Sequence, residues 1–127
     1  MKVKLKSQED IKLLNIPSNE FLSLEYGVIY DVMGVFRETE LSYYYIDVGN
    51  FYPINYTIEL FEIVDPRVSK HWIISIEEKL WAITFKEWIE VPNFIHYYLN
   101  GDVDEDEKFY ELREFIHYKK MIKKEFS

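Results

Sequence analysis

Asp102, Asp104, Asp106 and Glu107 form the densest group of oxygen ligands in the chain, and alternating aspartates are how a calcium loop begins. A loop starting at Asp102 needs glycine at its sixth position and a bidentate glutamate at its twelfth. Glu107 and Arg113 stand there instead, so calcium chemistry is not expected. A helix accounts for the same run: Asp104 to Glu107 lie at its start and Lys119, Lys120, Lys123 and Lys124 at its end, complementing the helix dipole. His71, His96 and His117 have no spacing that would place two metal ligands on one helix face. There is no G-x-S-x-G, Walker A or G-x-G-x-x-G pattern, and with no cysteine there is no thiolate nucleophile, disulfide or Cys-based metal site. No cofactor and no metal are therefore expected. What catalysis remains open is acid-base chemistry by two carboxylates, such as Asp31 and Asp47, meeting across a sheet. With 23 acidic residues, chance proximity is the stronger expectation, and the chain is read as a non-enzyme.

The surface is the better guide. Aromatic residues make up 18% of the chain, 11 of them Tyr, and the formal net charge is -8. Tyrosine gives large contact area at low entropic cost, and an acidic field attracts basic partners. The same charge opposes binding to phosphate backbones, so no direct nucleic-acid contact is expected. An A- and T-rich coding sequence, which enriches Tyr, Phe, Ile and Lys together, accounts for the aromatic excess equally well. Tyr43, Tyr44 and Tyr45 are consecutive, so on a strand at least one faces away from the other two. Tyr43, Tyr45, Asp47, Phe51, Tyr52, Glu59 and Glu62 form the candidate partner-binding set, a mixture of carboxylate and ring suited to a basic nuclease cleft. The alternative for each Tyr is a ring in the core with its hydroxyl in water.

The elements that must position this set read as follows. Ser7 caps a short helix with Asp10 in its first turn and Ile11, Leu13 and Leu14 following, ended by Pro17. Period-two alternation from Glu25 through Val32 predicts a strand, with Gly34 as a turn. Further strands are predicted over Leu41–Val48, Tyr56–Val64, Trp72–Ile76 and Leu80–Phe85, the last two joined by Glu77-Glu78-Lys79. A short helix starting at Pro92 and running through Leu99 stops at Asn100-Gly101, and Phe109, Leu112, Phe115, Ile116, Met121 and Ile122 recur at helical spacing. The expectation is one α+β domain over residues 1–127, an antiparallel sheet of about five strands with C-terminal helices on one face. The basic start MKVKLK reaches Gln8, Glu9 and Asp10 where a signal peptide turns apolar, and no apolar run approaches the ~20 residues of a membrane helix. A soluble, cytoplasmic protein without membrane contact is expected.

Two stretches, EYGVIYDVMGVFRETELSYYYIDVGN (25–50) and LWAITFKEWIEVPNFIHYYLNGD (80–102) with the acidic helix after it, resemble the immunity proteins that protect bacteria from their own secreted polymorphic toxins. The resemblance covers little more than half the chain and lies in pattern and composition. It implies a small cytoplasmic α+β protein that binds a cognate toxin domain, blocks its active site and has no catalysis of its own. No functional residue is carried over by position. A homo-oligomeric structural or adaptor protein and a small acid-base hydrolase stay open as alternatives, and the protein is expected as a monomer or weak homodimer.

Overall fold

The strand Tyr30–Glu38 organises the molecule, because it bonds neighbours along both of its edges. The computed structural model describes the backbone of residues 1–49, 53–90 and 105–127 and the side chains of 1–49, 53–89 and 115–127. In chain order the elements are β1 (Lys2–Leu5), α1 (Gln8–Leu14), β2 (Tyr30–Glu38), β3 (Leu41–Ile46), β4 (Ile54–Thr57), β5 (Phe61–Asp65), β6 (Trp72–Ile76), β7 (Leu80–Phe85), α2 (Lys86–Glu90) and α3 (Glu105–Glu125). Single 3₁₀ turns cover Ser18–Phe21 and Ile58–Leu60.

Along one edge β2 pairs with β3 from Val32 to Glu38. Along the other, Tyr30 and Asp31 pair with β1, and Gly34 to Glu38 pair with β7. β4 extends the sheet from β3, β5 from β1 and β6 from β7, and every ladder is antiparallel. Among the described residues the result is a seven-stranded sheet ordered β4-β3-β2-β1-β5, with the β7-β6 hairpin beside the second half of β2. A register shift between Val32 and Gly34 inserts Met33 as a bulge where β2 exchanges β1 for β7. Bulges sharpen strand bending, which lets one strand serve two neighbours on the same edge.

The expected α+β class holds, with more strands than the five read from pattern. The basic start of the chain forms β1, and the run Tyr56–Val64 breaks at Ile58–Leu60 into β4 and β5. The break re-aims the chain so that Phe61 packs on Tyr44 and Tyr56, at ring-centroid distances of 5.9 and 6.1 Å. The strand expected from Glu25 begins only at Tyr30, and Gly34 lies inside it and not in a turn. The Pro92 helix lies outside the described residues.

The capped helix forms as read: the Asp10 amide donates to Ser7 Oγ at 3.2 Å, and Asn15 closes the helix in the left-handed region at φ 58°. α3 meets the sheet through Phe115, Tyr118 and Ile122, all buried and spaced three and four apart on one face. Ile116, expected on that face, is exposed. Phe85, Trp88 and Tyr118 gather into an aromatic cluster whose ring centroids lie 4.4 to 5.4 Å apart, with Trp72 at its margin.

The far end of α3 is fastened by Glu125. Its carboxylate accepts from Ser69 Oγ and from the Lys70 amide, both at 2.6 Å. Burial pushes the Glu125 carboxyl up, but these two hydrogen bonds and the nearby His71 and Lys70 outweigh it, so its pKa lies below the ordinary value. A depressed carboxyl pKa adds stability above the unfolded-state value and loses it as pH falls through the folded-state value. Melting temperatures measured between about pH 6 and pH 3 should therefore fall more for the wild type than for Glu125→Gln, which forfeits this contribution at every pH. Parallel pH slopes for the two proteins would remove Glu125 from the acid response.

Candidate partner-binding surface

β3 lies between β2 and β4, and pleating sends alternate tyrosines to opposite faces. Tyr43 stands opposite Phe36 on β2 and Thr57 on β4, and it is half-buried. Tyr44 stands opposite Val35 and Tyr56 and is buried on the other face. Tyr45 is only 4% exposed, its ring set edge-on to Phe36 at 4.4 Å. Burial, with Glu38 and Tyr43 adding to it, pushes the Tyr45 phenol well above its ordinary pKa. Tyr45 is thus a core residue and not a contact residue, because β3 is an interior strand covered on both faces at this level.

Asp47 is also committed inside the molecule. Its carboxylate accepts from the Gly49 amide at 2.9 Å, closing the turn after β3, and pairs with Lys119 Nζ of α3 at 3.2 Å. The Asp47 amide donates to the Asp31 carbonyl at 3.1 Å, so the two aspartates considered for acid-base work do come together along the backbone. Their carboxylates part company there: Asp31 pairs with Lys2 at 3.4 Å and Asp47 with Lys119. Each carboxylate faces its own ammonium group, the arrangement of two separate ion pairs.

Glu59, on the 3₁₀ turn after β4, is exposed. Glu62, on β5, is exposed and reaches Lys4 Nζ at 3.1 Å, a surface pair of small energetic weight. Phe51 and Tyr52 lie outside the described residues. Of the candidate set, Tyr43 and Glu59 therefore share one accessible stretch, joined through the Tyr43–Thr57 pairing.

The structure adds residues that pattern reading did not single out. Glu38, Glu40 and Leu41 are exposed at the β2–β3 turn, two and three positions from Tyr43 in the case of Leu41 and Glu40. Thr39 adopts φ 59° there, and its amide donates to the Lys79 carbonyl at 3.0 Å. That bond sets the β2–β3 turn beside the β6–β7 turn with its exposed Glu77 and Glu78. Four exposed carboxylates thus share one end of the sheet with Arg37 and Lys79. The acidic character of each turn is visible in the sequence; their meeting depends on β7 pairing with β2. Among the described residues no three His, Cys, Asp or Glu form a group able to hold a metal ion, and no helix is long and apolar enough to cross a membrane.

Comparison with family models finds no match, and comparisons with curated proteins and with solved structures find none either.

Proposed function

We propose that this protein is a cytoplasmic, stoichiometric inhibitor of a basic toxin domain, of the kind its sequence resembles, acting by occlusion and without catalysis. The observation that carries the reading is the acidic end of the sheet, where Glu38 pairs across the ladder with Leu41, Glu40 precedes Leu41 and Tyr43, and Glu59 lies one strand away. Carboxylates gathered at one end of the sheet raise the encounter rate with a basic cleft, and the ring and the leucine supply contact that stays after water leaves.

The test begins with a pull-down of the tagged protein from its native host at low and high salt, with bound partners identified by mass spectrometry. A single basic partner related to a secreted toxin, enriched at low salt, is the expected result. Association kinetics of that pair should then fall steeply with salt, and Glu40→Lys combined with Glu59→Lys should slow association by roughly tenfold at low ionic strength while changing dissociation less. An association rate indifferent to both salt and these reversals would sink the electrostatic mechanism. The reading as a homo-oligomer draws on a different part of the sheet, the edge formed by β6.

A further inference from the structure

We infer that β6 is a self-association edge, on which a second copy of this chain pairs antiparallel about a two-fold axis at Ile74. Among the described residues β6 bonds only β7. The Glu77 amide donates to the Leu80 carbonyl at 2.8 Å, making that pair the hydrogen-bonded one that closes the turn. Antiparallel alternation then assigns the inward ladder bonds to Ser75–Ala82 and Ile73–Thr84. The outward backbone groups are those of Trp72, Ile74 and Ile76, of which the Trp72 amide is already bonded to the Ser69 carbonyl.

The side chains along this edge are unusual for a solvent-facing strand. Ile74 is 66% and Ile76 79% exposed, with Ile73 also open. Edge strands are ordinarily guarded by lysine, proline, inward charge or a bulge. The sequence WIISI carries none of these.

Charge selects the occupant and the register. Basic residues precede β6 (Lys70, His71) and acidic residues follow it (Glu77, Glu78). A two-fold axis at Ile74 sets Lys70 against the partner's Glu78 and His71 against the partner's Glu77, twice over by symmetry. Between them Ile74 meets the partner's Ile74, and Ile76 stands opposite the partner's Trp72, whose ring is buried in its own subunit. Moving the axis to Ile76 places Glu78 against the partner's Ile74, and moving it to Trp72 places Lys70 against the partner's Ile74. Ile74 is thus the outward residue that matches apolar with apolar and base with acid at once. β3 and β4 lie across β2 from this edge, so Tyr43 and Glu59 stay accessible in the pair, and the inference does not depend on the inhibitor reading.

One strand pair buries an area at the low end of protein interfaces, so self-association in the range of tens of micromolar or weaker is expected. Sedimentation velocity of the full chain from about 10 µM to about 1 mM, near physiological ionic strength, reads it directly. The wild type should move from monomer to dimer across this range. Ile74→Lys, which puts two ammonium groups side by side on the axis, should stay monomeric while keeping its melting temperature, since Ile74 is exposed. Lys70→Glu and Glu78→Lys should each weaken dimerisation several-fold, and the double reversal should restore it. A wild type monomeric at every concentration, including one that instead takes up another protein's strand, overturns the inference. So does a dimer that survives Ile74→Lys, or a double reversal no stronger than the single variants.

Discussion

Phe85→Ala is expected to lower the free energy of unfolding by about 3–5 kcal/mol, the range for removing a fully buried aromatic ring. Phe85 is the last residue of β7 and only 1% exposed. Its ring lies 4.4 Å from Tyr118 on α3, 5.2 Å from Trp88 on α2 and 6.4 Å from Trp72 on β6. Four elements therefore lose a shared contact when this ring is cut back. The cavity cannot close easily, because the neighbours are flat, rigid rings held by separate elements. Against a total stability of about 5–15 kcal/mol, the loss is large enough to leave a measurable unfolded fraction at 37 °C if the protein sits at the low end. Urea unfolding followed by tryptophan fluorescence should show the midpoint falling with little change in slope. Ile74→Ala, on the exposed edge of the same sheet, should stay within about 0.5 kcal/mol of wild type. A Phe85→Ala loss below about 1 kcal/mol would mean that the cluster is not the anchor of α3.

The contrast between local and non-local signals explains what the sequence disclosed. Ser7 and Asp10 announce α1 because a cap needs only residues three apart, and the structure closes that bond at 3.2 Å. The β6–β7 hairpin was legible for the same reason, its two alternating runs flanking a charged turn. β1 was not, since Lys2–Leu5 is too short to show alternation and becomes a strand by pairing with β2 and with β5 some sixty residues on. The surface divides in the same way. That three consecutive tyrosines alternate in direction follows from strand geometry, but the burial of Tyr45 depends on Phe36 across the ladder. The engagement of Asp47 with Lys119 depends on where α3 docks. Likewise, the acidic turns at Glu38–Glu40 and Glu77–Glu78 become one surface only through the β2–β7 pairing.

Gly34 shows the same limit at a single residue and carries the second large effect. Glycine in a patterned stretch reads as a turn, but here it occupies the middle of β2 because another strand comes too close for a side chain. A Cβ at this position would lie 2.7 Å from Thr84 Oγ1, 2.9 Å from Thr84 Cβ and 2.8 Å from Phe36 Cε2. Neither neighbour can yield cheaply. Thr84 is fully buried, β-branched and held by the hydrogen bond its hydroxyl donates to the Met33 carbonyl at 2.9 Å, and the Phe36 ring is braced by Tyr45. Where space allows, Gly→Ala stabilises by about 0.4–1 kcal/mol through the unfolded chain. Overpacking of about 1–3 kcal/mol opposes that, so Gly34→Ala is expected to destabilise by roughly 1–2 kcal/mol net. Thr84→Ala alone should also cost about 1–3 kcal/mol, for it removes the buried hydrogen bond to the bulge carbonyl of Met33. Combined, the two should cost less than their sum by about 1 kcal/mol, because Thr84→Ala removes Oγ1, the nearest of the three atoms to the new Cβ, and frees the shortened side chain from its hydrogen bond to Met33. Urea midpoints of the four proteins measure this coupling. Strict additivity would place the strain of Gly34→Ala on Phe36 and on the Cβ that residue 84 retains, and Gly34→Ala as stable as wild type would show that β7 can move away from the bulge.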